Sequence, residues 1–321
     1  MKARLAASLL ALAAFVAPVV HAEWPERPVR IVLPYGPGGG ADTVGRPLVA
    51  QLQKKWTGGV VAENKGGAGG YIALESVVQS PADGYTLFLS LTAQAAINPS
   101  FYKDQRLDVL NDLAPVTMLG SAPYFLCVNP NLPAKTVQEF LKLVRDNPGK
   151  YSYASSGNGS GLHLSMELLK SMAKIDIVHV PYKSSGAAYT DLISGQVHAT
   201  FCGAGSIRGY VEAGRLRVIG VSTPARSPVM PQVATIAESG VPGYESGVWY
   251  ALFAPKATPA PVLRKVRDDV VEALKSPELA SRYQADAIVP MSSTPEELVA
   301  FVKAERTKWD GVVKRSGATL D

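Results

Sequence analysis

Apolar and polar positions along this 321-residue chain follow two alternating rhythms. Short dense apolar runs, as in strands covered on both faces, give way to longer stretches where apolar residues recur every three to four positions, the helical period. "VRIVLPY" (29–35) predicts a strand, "ADTVGRPLVAQLQKKW" (41–56) a helix with Asp42 in its first turn, and "GVVAENK" (59–65) a second strand. A helix at 71–80, stopped by Pro81, and a strand at 85–91 come next. Further strands are expected at 124–130, 151–155, 175–182, 197–202, 216–222 and 249–255, with helices at 136–148, 162–173, 186–195 and 207–214. Two helices close the chain, 259–276 and 294–316, the second opened by Thr294 and Glu297 at capping-box spacing.

Strand–helix alternation argues for an α/β fold with mostly parallel sheets. Two loop-rich stretches interrupt it, 98–121 and 223–247, and both carry prolines or turn residues. A paired interruption suits a chain that crosses to a second domain and returns. The expected division is a discontinuous first domain, 23–122 plus 248–321, with 123–247 inserted as the second.

The N-terminus changes the picture. Lys2 and Arg4 precede an almost wholly apolar run, Leu5 to Val20, closed by His21-Ala22. Basic start, apolar core and small-residue end, in that order, read as an export signal removed near Ala22. No later segment is apolar enough for long enough to span a bilayer. Net charge is +5 for the whole chain and +3 without Lys2 and Arg4, with no basic block. That does not suggest nucleic-acid binding, but it suits an anionic ligand. Cys127 and Cys202 are the two cysteines. An oxidising compartment permits a bond between them, two separate buried thiols fit the strand-like context equally well, and sequence leaves the choice open. His179 and His198 lie far from any acidic cluster, so metal-ligand spacing is missing. No metal and no cofactor is expected.

The chemistry concentrates in glycine-rich strand–helix junctions. Gly36, Gly38, Gly39, Gly40 and Ala41 follow the first strand and open the first helix. Free N–H groups at a helix start, aligned with the helix dipole, favour a negative charge. Gly36-x-Gly38-x-x-Ala41, with Glu63 at the end of the next strand, matches a dinucleotide fingerprint in spacing. Against that stand Pro37, which removes one loop N–H, the export signal, and the lack of a catalytic partner set. A second loop of the same character, Ser155 to Gly161, lies between a strand and a helix in the inserted half. It adds hydroxyl and amide donors but has no Gly-x-Ser-x-Gly elbow, and His163 reads as a residue that orients the loop. Other strand ends, "SLTAQAAINP", "PYKSSG" and "FCGAGS", are small and neutral. They offer hydrogen bonds without the perturbed acid or base that catalysis needs. Two anion cradles facing one cleft suggest a ligand acidic at both ends, enclosed by a hinge motion.

These residues carry a resemblance that extends over nearly all of the exported chain. "WPERPVRIVLPYGPGGGADTVGR", "VAENKGGAGGYIALESV", "PADGYTL", "NPGKYSYASSGNGSGLHL", "VHVPYKSSGAAYTDLISGQV" and "LFAPKATPAPV" resemble the Bug-type extracytoplasmic receptors of tripartite tricarboxylate transporters. The resemblance implies a two-domain Venus-flytrap fold of the type II-like periplasmic binding proteins, with a carboxylate in the interdomain cleft. It implies a monomer that binds a small carboxylate and serves membrane subunits encoded elsewhere. Carried over, it puts Gly38, Gly39, Gly40, Ala41 and Asp42 around one carboxylate, with Thr92 and Gln94 completing that side. Ser156, Gly157 and Asn158, with His163 beside them, form the other side. Two departures stand out. Relatives commonly have Ser/Thr-Asn-His where this chain has Gly161-Leu162-His163. They often have Phe-Asp-Asn where it has Phe201-Cys202-Gly203. The small Gly203 leaves room for a bulkier, less polar ligand, such as the aromatic diacid terephthalate, with Tyr35 flanking its ring. The other readings open at this point are a secreted enzyme holding a nucleotide on the Gly36–Ala41 loop, a hydrolase, and a receptor that signals instead of feeding a transporter.

Overall fold

The structure is a computed structural model and describes residues 24–101 and 106–316; the expected export signal, with its expected cleavage near Ala22, lies outside the described residues. In chain order the elements begin β1 (Val29–Leu33), α1 (Gly40–Leu52), β2 (Val60–Asn64), α2 (Tyr71–Val78) and β3 (Thr86–Leu91). A single π-helical turn, Ala93–Ile97, follows β3. Then come β4 (Leu113–Pro123), β5 (Phe125–Val128), α3 (Val137–Arg145), β6 (Ser152–Ser155), α4 (Gly161–Ala173), β7 (Val178–Pro181), α5 (Ser185–Ser194), β8 (Ala199–Cys202), α6 (Ala204–Glu212) and β9 (Arg217–Val221). The chain ends with β10 (Gly247–Pro255), α7 (Ala260–Leu274), α8 (Pro277–Ala285), β11 (Val289–Pro290) and α9 (Pro295–Ser316).

Among the described residues eleven strands form two sheets, a six-stranded one in the order β11-β4-β10-β3-β1-β2 and a five-stranded one in the order β7-β6-β8-β5-β9. The sheets are mixed, which corrects the expectation of mostly parallel pairing. The pairs β1–β2, β1–β3, β6–β7 and β6–β8 are parallel, as βαβ units require. β10 is antiparallel to β3 and β4, β11 to β4, and β5 to β8 and β9. These five antiparallel pairings join segments brought together from afar, and the local period carries no record of strand direction.

β4 is a second correction, since its residues were expected to be loop. It is an eleven-residue strand with most of its residues buried and none exposed. Burial on both faces removes the polar alternation, while Pro115 and Gly120 imitate turn signals. Register shifts opposite β10, between Tyr250 and Ala251 and between Leu252 and Phe253, absorb the irregularity. α8 and β11 are also additions to the expected elements.

The apolar core explains the layering. One buried cluster covers the first sheet and one face of the second, with Leu126 and Val128 of β5 among its members. Phe125 and Cys127, the alternate residues of the same strand, belong to the other cluster, under α5 and α6. Cys127 and Cys202, fully buried on neighbouring strands, are joined in a disulfide there. α9 starts with the expected reciprocal cap: the Thr294 N–H donates to Glu297 Oε2 at 2.8 Å and the Glu297 N–H to Thr294 Oγ1 at 3.1 Å. It packs on α4 beside the second sheet and on β4 and the π-turn of the first, and so ties the two halves together. Among the described residues no helix is long and apolar enough to cross a membrane.

Candidate functional site

The junction between β1 and α1 is fixed from within. Asp42, 8% exposed, accepts the Gly38 N–H on one carboxylate oxygen. Its other oxygen accepts from Arg46 Nε at 2.9 Å and Asn64 Nδ2 at 3.1 Å. Asn64 also donates to the Tyr35 carbonyl at 2.9 Å. Gly38 takes a left-handed φ of +84°, a conformation that favours glycine. The carboxylate of Asp42 is thus spent on shaping the loop. The N–H groups of Gly39, Gly40 and Ala41 have no acceptor among the described residues. They stand at the positive end of α1, donors for an anion.

Gln94, just past β3, supports this junction, and Thr92 beside it ties the end of β3 to β10. Gln94 accepts the Leu91 N–H at 3.1 Å and donates to the Tyr35 hydroxyl at 3.0 Å and the Gly69 carbonyl at 2.8 Å. Thr92 Oγ1 accepts the Trp249 N–H at 2.9 Å. Tyr35 is half-buried at the mouth of the loop.

The second junction, between β6 and α4, is also tied down by its own residues. Ser155 Oγ accepts the Gly157 N–H at 3.1 Å, and Ser160 Oγ caps α4 by accepting the His163 N–H. The Gly159 N–H donates to His163 Nδ1 at 3.1 Å. His163 is only 4% exposed and lies under the loop. The side chains of Ser156 and Asn158 are both half-buried at the loop's tip.

A third helix start, α6, begins at Gly203. The Gly203 backbone and the hydroxyls of Ser185 and Ser206 lie against the Tyr189 hydroxyl. Asp286, which follows α8 beside the first sheet, places its carboxylate on Gly205. Arg208 of α6 donates to the Ala285 carbonyl and is close enough to Asp286 to act on its charge. Burial raises the Asp286 pKa despite Arg208. These contacts run from one sheet's layer to the other's.

One steric rule recurs at the three helix starts. A Cβ on Gly40 would lie 2.8 Å from Tyr250 Oη. A Cβ on Gly161 would run into Tyr124 Oη, and one on Gly205 into the Asp286 carboxylate. Each glycine makes room for a polar atom from a distant segment. Tyr124 stands between the sheets, immediately after β4. Burial pushes its hydroxyl well above the usual range, and Tyr250, Tyr35, Tyr189 and Tyr244 lie close enough to add to the shift. Tyr35 of the first loop, Tyr250 of β10 and Tyr189 of α5 are thus all near enough to Tyr124 to act on its charge.

Sequence reading singled out the loop residues but missed Tyr124, Tyr189, Tyr250, Arg208 and Asp286. Tyr124 and Tyr250 read as core positions of strands, and Asp286 follows a helix that was not expected. Apart from Asp42, Arg46, His163, Arg208 and Asp286, the polar groups named at these junctions are amides, hydroxyls and tyrosine rings. His163 and His179 are held uncharged by burial, with pKa values lowered to about 4 and about 3. Among the described residues no group of three or more His, Cys, Asp or Glu side chains is placed to hold a metal ion. Glu63, the candidate ribose partner, pairs with Arg30 at 3.0 Å and Lys65 at 3.4 Å.

Known proteins share this fold. The profile of the tripartite tricarboxylate transporter family receptors matches residues 44–318. Protein BugT of Bordetella pertussis is 34% identical over 312 residues, 97% of this chain and 96% of BugT. An R. palustris protein solved with adipate superposes with a TM-score of 0.88 at 33% identity, over 93% of this chain and 100% of its own. MatC from Rhodopseudomonas palustris, solved with bound malate, gives 0.83 at 29% identity, over 90% of this chain and 100% of its own. The periplasmic binding protein BugD gives 0.85 at 29% identity, over 93% of this chain and 100% of its own.

Proposed function

The chain belongs to the tripartite tricarboxylate transporter family of receptors, and from that premise we propose that it is a periplasmic receptor that captures a dicarboxylate for such a transporter. The observation that carries the proposal is the set of N–H groups on Gly39, Gly40 and Ala41, which point from a helix start without an acceptor. A carboxylate seated there gains charge-assisted hydrogen bonds and the helix dipole together. Ser156, Gly157 and Asn158 hold the second carboxylate. Gly38 and Asp42 set the shape of the first loop, Gln94 braces it, and Thr92 ties the end of β3 beside it to β10. The division into 23–122 plus 248–321 and an inserted 123–247 describes the two bodies that close on the ligand.

Within the dicarboxylates we favour an aromatic diacid such as terephthalate. Tyr35 provides a flat face beside the first loop, and Gly203 leaves space on the opposite side. The solved relatives with adipate and malate support the ligand class without fixing the carbon skeleton. Delivery goes to membrane subunits of the transporter.

The test is a thermal-shift screen of the exported chain against mono-, di- and tricarboxylates, aliphatic and aromatic, with NAD as a control. A ligand at a hundredfold excess over its Kd stabilises by about 2.7 kcal/mol, which reads as a rise of a few degrees for a protein of this size. A dicarboxylate, terephthalate foremost, is expected to give that rise. A shift with NAD alone would refute the proposal, and tight binding of malate or citrate with none of terephthalate would refute the aromatic preference.

A further inference from the structure

A buried polar stack lies under the second loop. The rings of His163 on α4 and His179 on β7 stack at 4.0 Å between centroids with an interplanar angle of 8°. Tyr153 of β6 lies alongside, its ring centroid 4.8 Å from His179 and 6.4 Å from His163 and within 22° of parallel to both. Each histidine reaches a different point of the loop: His179 Nε2 meets Ser155 Oγ at 2.7 Å, and His163 Nδ1 accepts the Gly159 N–H at 3.1 Å. Below them the Tyr153 hydroxyl donates to Glu167 Oε1 at 2.5 Å, and Lys170 pairs with the same oxygen at 2.8 Å.

We propose that the stacked His163–His179 pair positions the 156–160 loop, clamping it at Ser155 and Gly159 so that Ser156, Gly157 and Asn158 are presented as a preformed carboxylate seat. This rests on the reading that the loop holds one end of the ligand. The hydrogen bonding dictates the chemistry of the clamp. An amide N–H can only donate, so His163 Nδ1 carries no proton and Nε2 does. A charged imidazole would set two donors against each other at Gly159. Burial, assisted by the Lys170 charge, keeps both rings neutral at ordinary pH, while Glu167 opposes the shift at His179. The pair is thus a fixed base throughout the physiological range. An apolar side chain could fill the space but could not accept the Gly159 N–H, and a loop free to move would have to be ordered at each binding event.

Three variants separate positioning from simple packing. His163→Phe keeps the ring and loses the acceptor. His163→Asn keeps an acceptor on the same branch of the side chain and loses the stack. His179→Phe releases Ser155. Hydrogen exchange of the ligand-free protein and calorimetric titration with terephthalate and adipate are read on each. His163→Phe is expected to speed exchange of the 156–160 amides at least tenfold and weaken the diacid five- to hundredfold. His163→Asn should stay within about threefold of the unsubstituted chain in both readouts. His179→Phe should loosen the loop at its Ser155 end and weaken the diacid as well. Exchange unchanged in His163→Phe would overturn the proposal, as would His163→Asn and His163→Phe behaving alike. A faster loop with unchanged affinity would overturn it too. If the unsubstituted chain binds no dicarboxylate, the proposed function fails, and the exchange experiment still decides whether the pair orders the loop.

Discussion

Replacing Gly40 by alanine tests the steric account of the first junction. The new Cβ would sit 2.8 Å from Tyr250 Oη, closer than real Cβ contacts allow. Tyr250 is 3% exposed on a central strand, so its hydroxyl has little freedom to move aside. Overpacking of this kind costs about 1–3 kcal/mol. Alanine returns at most about 1 kcal/mol of helix propensity, and less at the first helical position. The net expectation for Gly40→Ala is a loss of up to about 2 kcal/mol, together with a first loop pushed off its seat and weaker dicarboxylate binding. Tyr250→Phe removes the offending oxygen. The next ring atoms then lie 3.8 Å from the Cβ, ordinary van der Waals contact. The double variant should therefore recover the stability lost on adding the methyl group. Denaturant titration of the four proteins closes the cycle, with an expected coupling of about 1–3 kcal/mol in favour of the double variant. Strict additivity, to within about 0.5 kcal/mol, would refute the argument.

Other consequences follow from the same contacts. In Gly205→Ala the methyl group would collide with the Asp286 carboxylate, so small-angle scattering of the ligand-bound protein should show a more open particle and calorimetry a weaker diacid; an unchanged profile with unchanged affinity would contradict the cross-sheet contact. The histidine pair makes stability depend on pH. Its folded pKa values, about 4 and about 3, lie below the ordinary 6.5, so between those limits the unfolded chain binds more protons. Stability is therefore complete above about pH 6.5 and falls by a few kcal/mol as pH drops towards 4, a slope that His163→Asn should flatten in denaturant titrations. The disulfide closes a sequence separation of 75, which predicts about 4 kcal/mol of stabilisation in the chain-entropy account; a reductant that leaves the denaturation midpoint unmoved would contradict it.

Much of this was legible in the sequence, and for definite reasons. Consecutive glycines between an apolar run and a helical period mark an anion-ready junction whatever the rest of the chain does. Thr294 and Glu297 announce a helix start because both halves of their cap are local. β4 was hidden because a strand buried on both faces loses its alternation, and Pro115 and Gly120 look like breaks until β10 is present to bulge against them. Tyr124, Tyr250 and Asp286 were invisible as site residues because their neighbours there are distant in sequence. The glycine positions pointed at them only indirectly: Gly40, Gly161 and Gly205 lack side chains because those three residues occupy the space.

With one loop for each carboxylate, both charges of the ligand are needed for tight binding. Isothermal titration with terephthalate and adipate, each compared with its monoamide, tests it most directly. A charge-assisted hydrogen bond contributes about 1.5–3 kcal/mol, so converting one carboxylate to a neutral amide should weaken binding at least tenfold while the diacid itself binds. Equal affinity for diacid and monoamide, or no heat with any dicarboxylate, would contradict the account.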